Sequence, residues 1–432
     1  MRPEPAEHDC DVVIAGGGMA GVAAAIAAVG DGLRVLLVER NAFLGGAATA
    51  GSVGQFVGWE TRSGRRVIAG VAERIVEALR AEGGAAPHGH FTMSTGHVMD
   101  RVEYDPELLK IVLDRLVGES GAELLFNATV HGVEQRAGRL TRVHLATPSG
   151  PVVASAPVFV DASGDLALLS RAGAAFLAPD GNEGVQPATL MFAMAPVDFA
   201  VLDGLDEAEK RAIVARGVEI GALPRAAAHR SRVPGSDTAW FNVTRVDIDP
   251  DDPFALSRAE VEGRRQALAA ARFLKENLPG LENAALTRLA PQLGIRDARR
   301  VKGDHVLTRD ELAADTLPAD TVACGAYPID IHHPAGSAGL TFEEFGPDHY
   351  YGIPLRSLIP SGFDNVLTAG RGVSATHEAF AALRVMPTAM ALGHAAGAAA
   401  RLAVETARGT VRRIDVAALR GRLRDAGAFL GA

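Results

Sequence analysis

The stretch from Asp11 to Glu39 constrains this chain more than any other. Val12-Val13-Ile14-Ala15 is short, β-branched and apolar, the composition of a strand buried in a parallel sheet. Gly16-Gly17-Gly18-Met19-Ala20-Gly21 follows at once and matches G-x-G-x-x-G. The Ala-rich residues after it predict a helix to about Val29, which Gly30-Asp31-Gly32 ends. Arg34 to Val38 reads as a second strand, with Glu39 at its carboxyl end. A unit of this order suits a dinucleotide for physical reasons. Gly16 permits the tight turn, Gly18 lets the backbone approach a pyrophosphate, and Gly21 lets the helix pack on the strand. The helix N-terminus offers unpaired N–H groups and a positive dipole end to the phosphates. Glu39, 18 residues after Gly21, is placed to accept hydrogen bonds from ribose hydroxyls, which favours FAD or NAD over NADP.

Val12 to Gly30 is also a run of 19 residues without a charge, long enough to raise a membrane or signal-peptide reading. It is rich in Gly and Ala rather than Leu and Phe, and Gly16-Gly17-Gly18 would break a spanning helix, so no membrane association is expected. The 432 residues suffice for two or three domains or one interleaved unit. With 48% hydrophobic and 22% charged residues, whole-chain disorder and a disulfide scaffold are excluded. A net charge of −9 argues against a general nucleic-acid binder. Lysine occurs only at Lys110, Lys210, Lys275 and Lys302, so arginine dominates the basic residues. Cys10 and Cys324 form no C-x-x-C and no zinc pattern, which excludes a dithiol relay and points to a reduced, cytoplasmic setting.

The residues after Glu39 separate FAD from NAD. Glu39-Arg40-Asn41-Ala42-Phe43-Leu44-Gly45-Gly46-Ala47-Ala48-Thr49 resembles the loop after the second strand in FAD-dependent oxidoreductases related to the fumarate reductase and succinate dehydrogenase flavoproteins. The resemblance extends to Ala162-Ser163-Gly164-Asp165 after the strand Val158–Asp161, to Leu293-Gly294-Ile295-Arg296-Asp297-Ala298-Arg299-Arg300, and to Tyr327-Pro328-Ile329-Asp330-Ile331-His332. It is strongest from Tyr351 to the C-terminal helix, where Ala369-Gly370-Arg371, Ser374-Ala375-Thr376-His377-Glu378-Ala379 and Arg384-Val385-Met386-Pro387-Thr388 lie. It implies an α/β fold: a discontinuous Rossmann-like FAD-binding domain (1–60, 100–178 and 350–432) with an inserted α+β substrate or cap domain (61–99 and 179–349). It implies FAD contacts at Gly16, Gly18, Met19, Ala20, Gly21, Glu39, Arg40, Gly45, Gly46, Ala47, Thr49, Val130, Ala162, Gly164, Asp165, Gly370, Arg371, Pro387 and Thr388. Covalently flavinylated relatives carry a histidine just before the Gly-Gly loop. Phe43 and Leu44 stand there, so non-covalent FAD is expected.

Local patterns fill in the remainder. Asp105 to Glu119 predicts an amphipathic helix, Glu123 to Phe126 a strand, and Thr129 to Val133 with Leu140 to Ala146 a hairpin or meander. Ser257-Arg258-Ala259-Glu260 reads as a capping box opening a helix to about Asn277, ended by Pro279-Gly280. Arg296 to Arg300 reads as a segment with a solvated, ion-paired helix face as its plain alternative. Val366 to Ala369 predicts a short strand, and an Ala/Gly-rich helix follows from about Thr388 to Val404.

No second G-x-G-x-x-G follows a strand, so no NAD(P)H domain is expected and a disulfide reductase is excluded. Asp180-Gly181 and Asp203-Gly204 read as turns rather than as the DG motif of aromatic hydroxylases. The reading that remains is two-electron oxidation of a small organic molecule by hydride transfer to flavin N5, with electrons passing to oxygen or another acceptor. The alternatives are flavin-dependent monooxygenation, which needs a reductant, and a non-catalytic FAD-binding subunit. A histidine suits the proton acceptor near neutral pH. His377 is the first candidate, with Arg384 for a substrate carboxylate or the flavin, and His332 with His333 behind them. His88, His90 and His97 lie in a Gly-rich stretch suited to a lid, and no metal is expected.

Overall fold

A computed structural model describes residues 5–92, 96–177, 184–334 and 339–431. The predicted first strand, helix and second strand form at Val12–Ala15, Met19–Ala28 and Val35–Val38. They belong to a five-stranded parallel sheet. Its order runs Val366–Thr368, Val158–Asp161, Val12–Ala15, Val35–Val38, Glu123–Leu125. Every residue of the three central strands is buried, so they read as continuous apolar runs rather than alternating ones. The uncharged run from Val12 is thus a strand and a ten-residue helix, and no helix among the described residues is long and apolar enough to cross a membrane.

The helix Pro106–Ser120 lies on one side of this sheet. Asp105 caps it by accepting the N–H of Glu107 at 2.7 Å, and Pro106 occupies the first turn, where its missing N–H costs nothing. Leu109, Val112, Leu113 and Leu116 form its buried stripe. The closing helix Met386–Ala407 crosses the first helix at very short range. A Cβ added at Gly393 would stand 2.0 Å from the Ala20 carbonyl oxygen, and one at Gly397 would stand 2.2 Å from that of Ala24. Small residues on both helices therefore set their separation.

The expected meander is present at Thr129–Arg136 and Arg139–Thr147, and it continues into Gly150–Ser155. Ala6–Asp9 pairs with that third strand in parallel, an element without a sequence signal. The stretch from 184 to 334 holds an antiparallel sheet ordered His229–Arg232, Ala239–Asn242, Phe192–Ala195, Ala285–Leu289. The 25-residue helix Pro253–Asn277 packs on it through Ala267, Ala270 and Leu274 against Phe192 and Phe241.

Two sequence expectations change here. The long helix begins at Pro253 with Asp252 as its cap, not at a Ser257–Glu260 box. Ser257 Oγ instead donates to the Pro253 carbonyl at 2.9 Å, and Glu260 Oε1 accepts the N–H of Leu293 at 2.8 Å. Pro253 at the first helical position carried the better start signal. The domain limits also cut through sheets. Val98–Glu103, which itself spans the limit at 99/100, pairs with Gln55–Val57 on one side and Gly89–Thr92 on the other, across the limit at 60/61. Thr321–Gly325 pairs with Tyr351–Pro354, across the limit at 349/350. The limit at 178/179 and Asp180-Gly181 lie outside the described residues. Asp203-Gly204 ends the short helix Phe199–Gly204. Cys10 and Cys324 are free and buried, and burial pushes each thiol up to about 12.

Candidate active site

The carboxyl ends of the parallel strands open into a cavity. At one end the glycines form a cradle. Gly16 leaves the first strand at a φ of 100°, and a Cβ there would lie 2.4 Å from Ser163 Cα, so only glycine fits the turn. A Cβ at Gly21 would meet the Gly16 carbonyl oxygen at 1.8 Å, which is how closely the helix abuts the strand. Gly18 differs: a Cβ there would meet only Gly46 Cα, at 3.9 Å. Its backbone borders open space in front of the helix N-terminus. Gly45 and Gly46 close over it through a bridge between Gly18 and Gly45.

Glu39 is buried at the rim of the cradle, and its carboxylate accepts the N–H of Gly17 at 2.7 Å and of Asn41 at 2.8 Å. Asp165 receives Arg371 at 3.1 Å and Arg40 at 3.6 Å, so two guanidiniums share one carboxylate. Arg371 Nη1 is buried with no hydrogen-bond partner among the described residues. Unoccupied space before a helix N-terminus, surplus guanidinium donors and a carboxylate at the second strand's end fit a dinucleotide diphosphate with its ribose.

The other end is a polar chamber. Thr189, Met191, Asn242 and residues 292–296 form one wall, and Tyr327, Asp330 and His332 form another. Arg384, Val385, Met386 and Ala389, where the closing helix starts, complete it together with Val53, Gln55 and Val57. Asp330 is the hub. Its Oδ2 accepts from the Tyr327 hydroxyl at 3.0 Å and from Arg384 Nη2 at 3.1 Å, and its Oδ1 lies 3.4 Å from His332 Nε2. Burial pushes its carboxyl up, but His332, Arg384 and Tyr327 outweigh that and hold it well below the usual carboxylate range. Burial pushes His332 down to about 4 despite Asp330, so its imidazole is neutral at neutral pH. Arg296 is pinned by Nη1, which donates to the Pro187 carbonyl and to Thr189 Oγ1, each at 2.8 Å.

Of the sequence-predicted residues, the cavity gathers Gly16, Gly18, Met19, Ala20, Glu39, Arg40, Gly45, Gly46, Ala47, Ala162, Gly164, Gly370 and Arg371, together with His332 and Arg384. Gly21, Thr49, Val130, Asp165, Pro387 and Thr388 do not line it. Thr49 bonds the Leu44 carbonyl and shapes the Gly45–Gly46 loop, and Val130 is packed in an apolar core with Val38 and Leu145. His377 is also outside the lining. It opens the helix His377–Leu383, is buried, and its Nδ1 lies 3.4 Å from Asp297 Oδ2. The histidine that lines the chamber is His332. His333 is on the surface beside Thr341. His88, His90 and His97 pair with Glu73, Glu60 and Glu344 away from the cavity. Residues 295–300 are not a solvated helix face: the segment is irregular, Arg296 faces the chamber, and buried Arg300 donates to the Ala375 carbonyl at 2.8 Å.

Sequence reasoning missed Tyr327 and Asp330 as site residues, although the stretch Tyr327–His332 had been singled out. The i, i+3, i+5 spacing of Tyr, Asp and His was the usable signal. Thr189, Met191 and Asn242 carried none, since each is an ordinary residue beside or within an antiparallel sheet.

A family model described as FAD dependent oxidoreductase matches residues 11–423. Solved structures similar to this one include a geranylgeranyl bacteriochlorophyll reductase-like protein from Thermoplasma acidophilum (14% identity, 97% of this chain and 84% of that chain covered, TM-score 0.49). They also include p-nitrophenol 4-monooxygenase from Pseudomonas putida (14% identity, 97% and 84% covered, TM-score 0.48). L-proline dehydrogenase from P. horikoshii is similar as well (13% identity, 98% and 100% covered, TM-score 0.44). No curated protein matches the chain.

Proposed function

This chain belongs to the FAD dependent oxidoreductase family, and from that premise we propose that it dehydrogenates a small organic substrate in the Tyr327–Asp330–His332 chamber, with FAD held non-covalently in the glycine cradle. The observation that carries the reading is continuity: one cavity runs from the cradle to a buried chamber holding a neutral imidazole beside an ionised carboxylate. Bound FAD supplies a two-electron acceptor for hydride.

The chain's own groups do the rest. The N–H groups at the start of the helix Met19–Ala28, with Arg40 and Arg371, would hold the diphosphate, and Glu39 would take the ribose hydroxyls. Phe43 and Leu44 offer no nucleophile to the ring, which supports non-covalent binding. His332, whose Nε2 faces Asp330, accepts the proton that leaves the substrate at its other ring nitrogen, Nδ1, and Asp330 steadies the imidazolium that forms. Arg384 and the Tyr327 hydroxyl keep Asp330 ionised and oriented. The apolar side chains of Met191, Val385 and Met386 exclude water from the substrate.

The test is the visible spectrum of the purified protein, repeated after acid precipitation, followed by an anaerobic substrate screen. Flavin released to the supernatant and bleaching by a substrate are the expected results. A colourless protein that does not take up added FAD overturns the proposal, and so does NAD(P)H consumption with oxygen incorporation.

A further inference from the structure

The charge in the chamber does not balance. Arg296 and Arg384 line it, and Arg225 stands directly behind Asn242, donating to its Oδ1 at 2.7 Å and to its backbone carbonyl at 2.6 Å. Against these three guanidiniums the chamber sets one carboxylate, Asp330, while Tyr327 and His332 are neutral. Burial pushes Arg296 down to about 9, and Arg384 and Arg225 add to the effect by repelling it. Burial likewise lowers Arg225 to about 10. A buried guanidinium without a counter-charge is costly, and proteins ordinarily neutralise one or leave it to a ligand.

Donors on both guanidiniums also remain without a partner among the described residues. Arg296 commits Nη1 to the Pro187 carbonyl and Thr189, and Arg384 commits Nη2 to Asp330. Arg384 Nε is buried with no partner among the described residues. Asn242 has its side-chain oxygen occupied by Arg225, so its amide N–H₂ is what remains for a ligand. Two guanidiniums and one amide thus bring hydrogen-bond donors to a chamber whose one carboxylate, Asp330, is already bonded to Arg384 and Tyr327.

We propose that the chamber recognises its substrate by a carboxylate, held between Arg296 and Arg384 with Asn242 as a third donor. Planar forks match a carboxylate in charge and in shape. Gripped there, the substrate's remaining atoms lie toward His332 and the cradle, so the carboxylate fixes which C–H is presented. This assignment rests on the flavoenzyme reading above.

Calorimetry on the yellow, FAD-loaded protein tests it. The probes are acetate, succinate and benzoate, with acetamide, succinamide and benzamide as their uncharged twins and inorganic phosphate as a second oxyanion. Saturable binding of at least one carboxylate, about tenfold or more tighter than its amide, is expected. Arg296→Met should weaken it about thirtyfold or more, and Arg296→Lys, which keeps the charge and loses the fork, should fall between. FAD content reports folding of each variant, and Arg384→Met serves if Arg296 variants lose FAD. A yellow protein that binds no carboxylate, binds phosphate alone, or binds acid and amide equally overturns this inference and leaves the flavoenzyme reading intact. A protein unable to take up FAD overturns both.

Discussion

His332 is half-buried and His394 buried, desolvation pushes both down to about 4, yet of the two only His332 borders the chamber. Their consequences therefore differ. His332→Gln keeps the volume and removes the proton acceptor, so substrate-dependent flavin bleaching in anaerobic stopped flow should slow by about 10²–10⁴-fold with FAD content unchanged. A slowing below about threefold would place the proton acceptor elsewhere. His394 sits in the closing helix beside Gly70 and acts only through stability. Between its ordinary value of 6.5 and about 4, the unfolded chain binds a proton there that the folded chain does not. Stability should thus fall as pH drops through that window, by up to about 1.4 kcal/mol per pH unit from this one group. Denaturant melts between pH 7 and 4 check this, and His394→Leu should flatten the slope by that amount.

At the scale of elements, what starts and stops each one is local chemistry, and the long helix Pro253–Asn277 shows where that legibility ends. Two start signals lie five residues apart, Asp252-Pro253 and Ser257–Glu260, and both satisfy a cap rule. The structure uses the first: Asp252 accepts the N–H of Phe254 at 2.8 Å. Asp252→Ala should cost about 1 kcal/mol in urea melts, while Ser257→Ala should stay within about 0.5 kcal/mol. Equal losses would mean that the helix frays back to Ser257. Pro253 at the first helical position favoured the earlier start, and the loss of Glu260 from the second box to the N–H of Leu293, a partner 33 residues away, is what no local pattern records.

On the scale of the molecule, the cavity is walled by segments far apart in the chain, from Gly16 to Ala389. A ligand that fills it ties the parallel sheet to the antiparallel sheet. FAD should therefore raise the unfolding free energy of the whole chain, by about 2.7 kcal/mol at a free concentration one hundred times its dissociation constant. Thermal melts of stripped and reloaded protein measure the difference. A midpoint that does not move would mean that FAD binds the unfolded chain equally well, or not at all.

The sequence by itself determined the cradle. A strand, three glycines, a helix and an acid act within thirty residues, and each role follows from backbone sterics and from the field at a helix end, which need no distant partner. It also marked the return to the cradle at Gly370-Arg371, through its resemblance to known flavoproteins. Only the tertiary structure decided the chamber. His377 and His332 look alike as isolated histidines, and they were separated by what the fold sets beside them: Asp297 in a buried contact for one, Asp330, Tyr327 and open space for the other. Arg296 reads on paper as one more arginine in an arginine-rich chain and lies in the fold against a chamber with too few anions. Charge imbalance is a property of which groups share a low-dielectric volume, and no local pattern of residues records that.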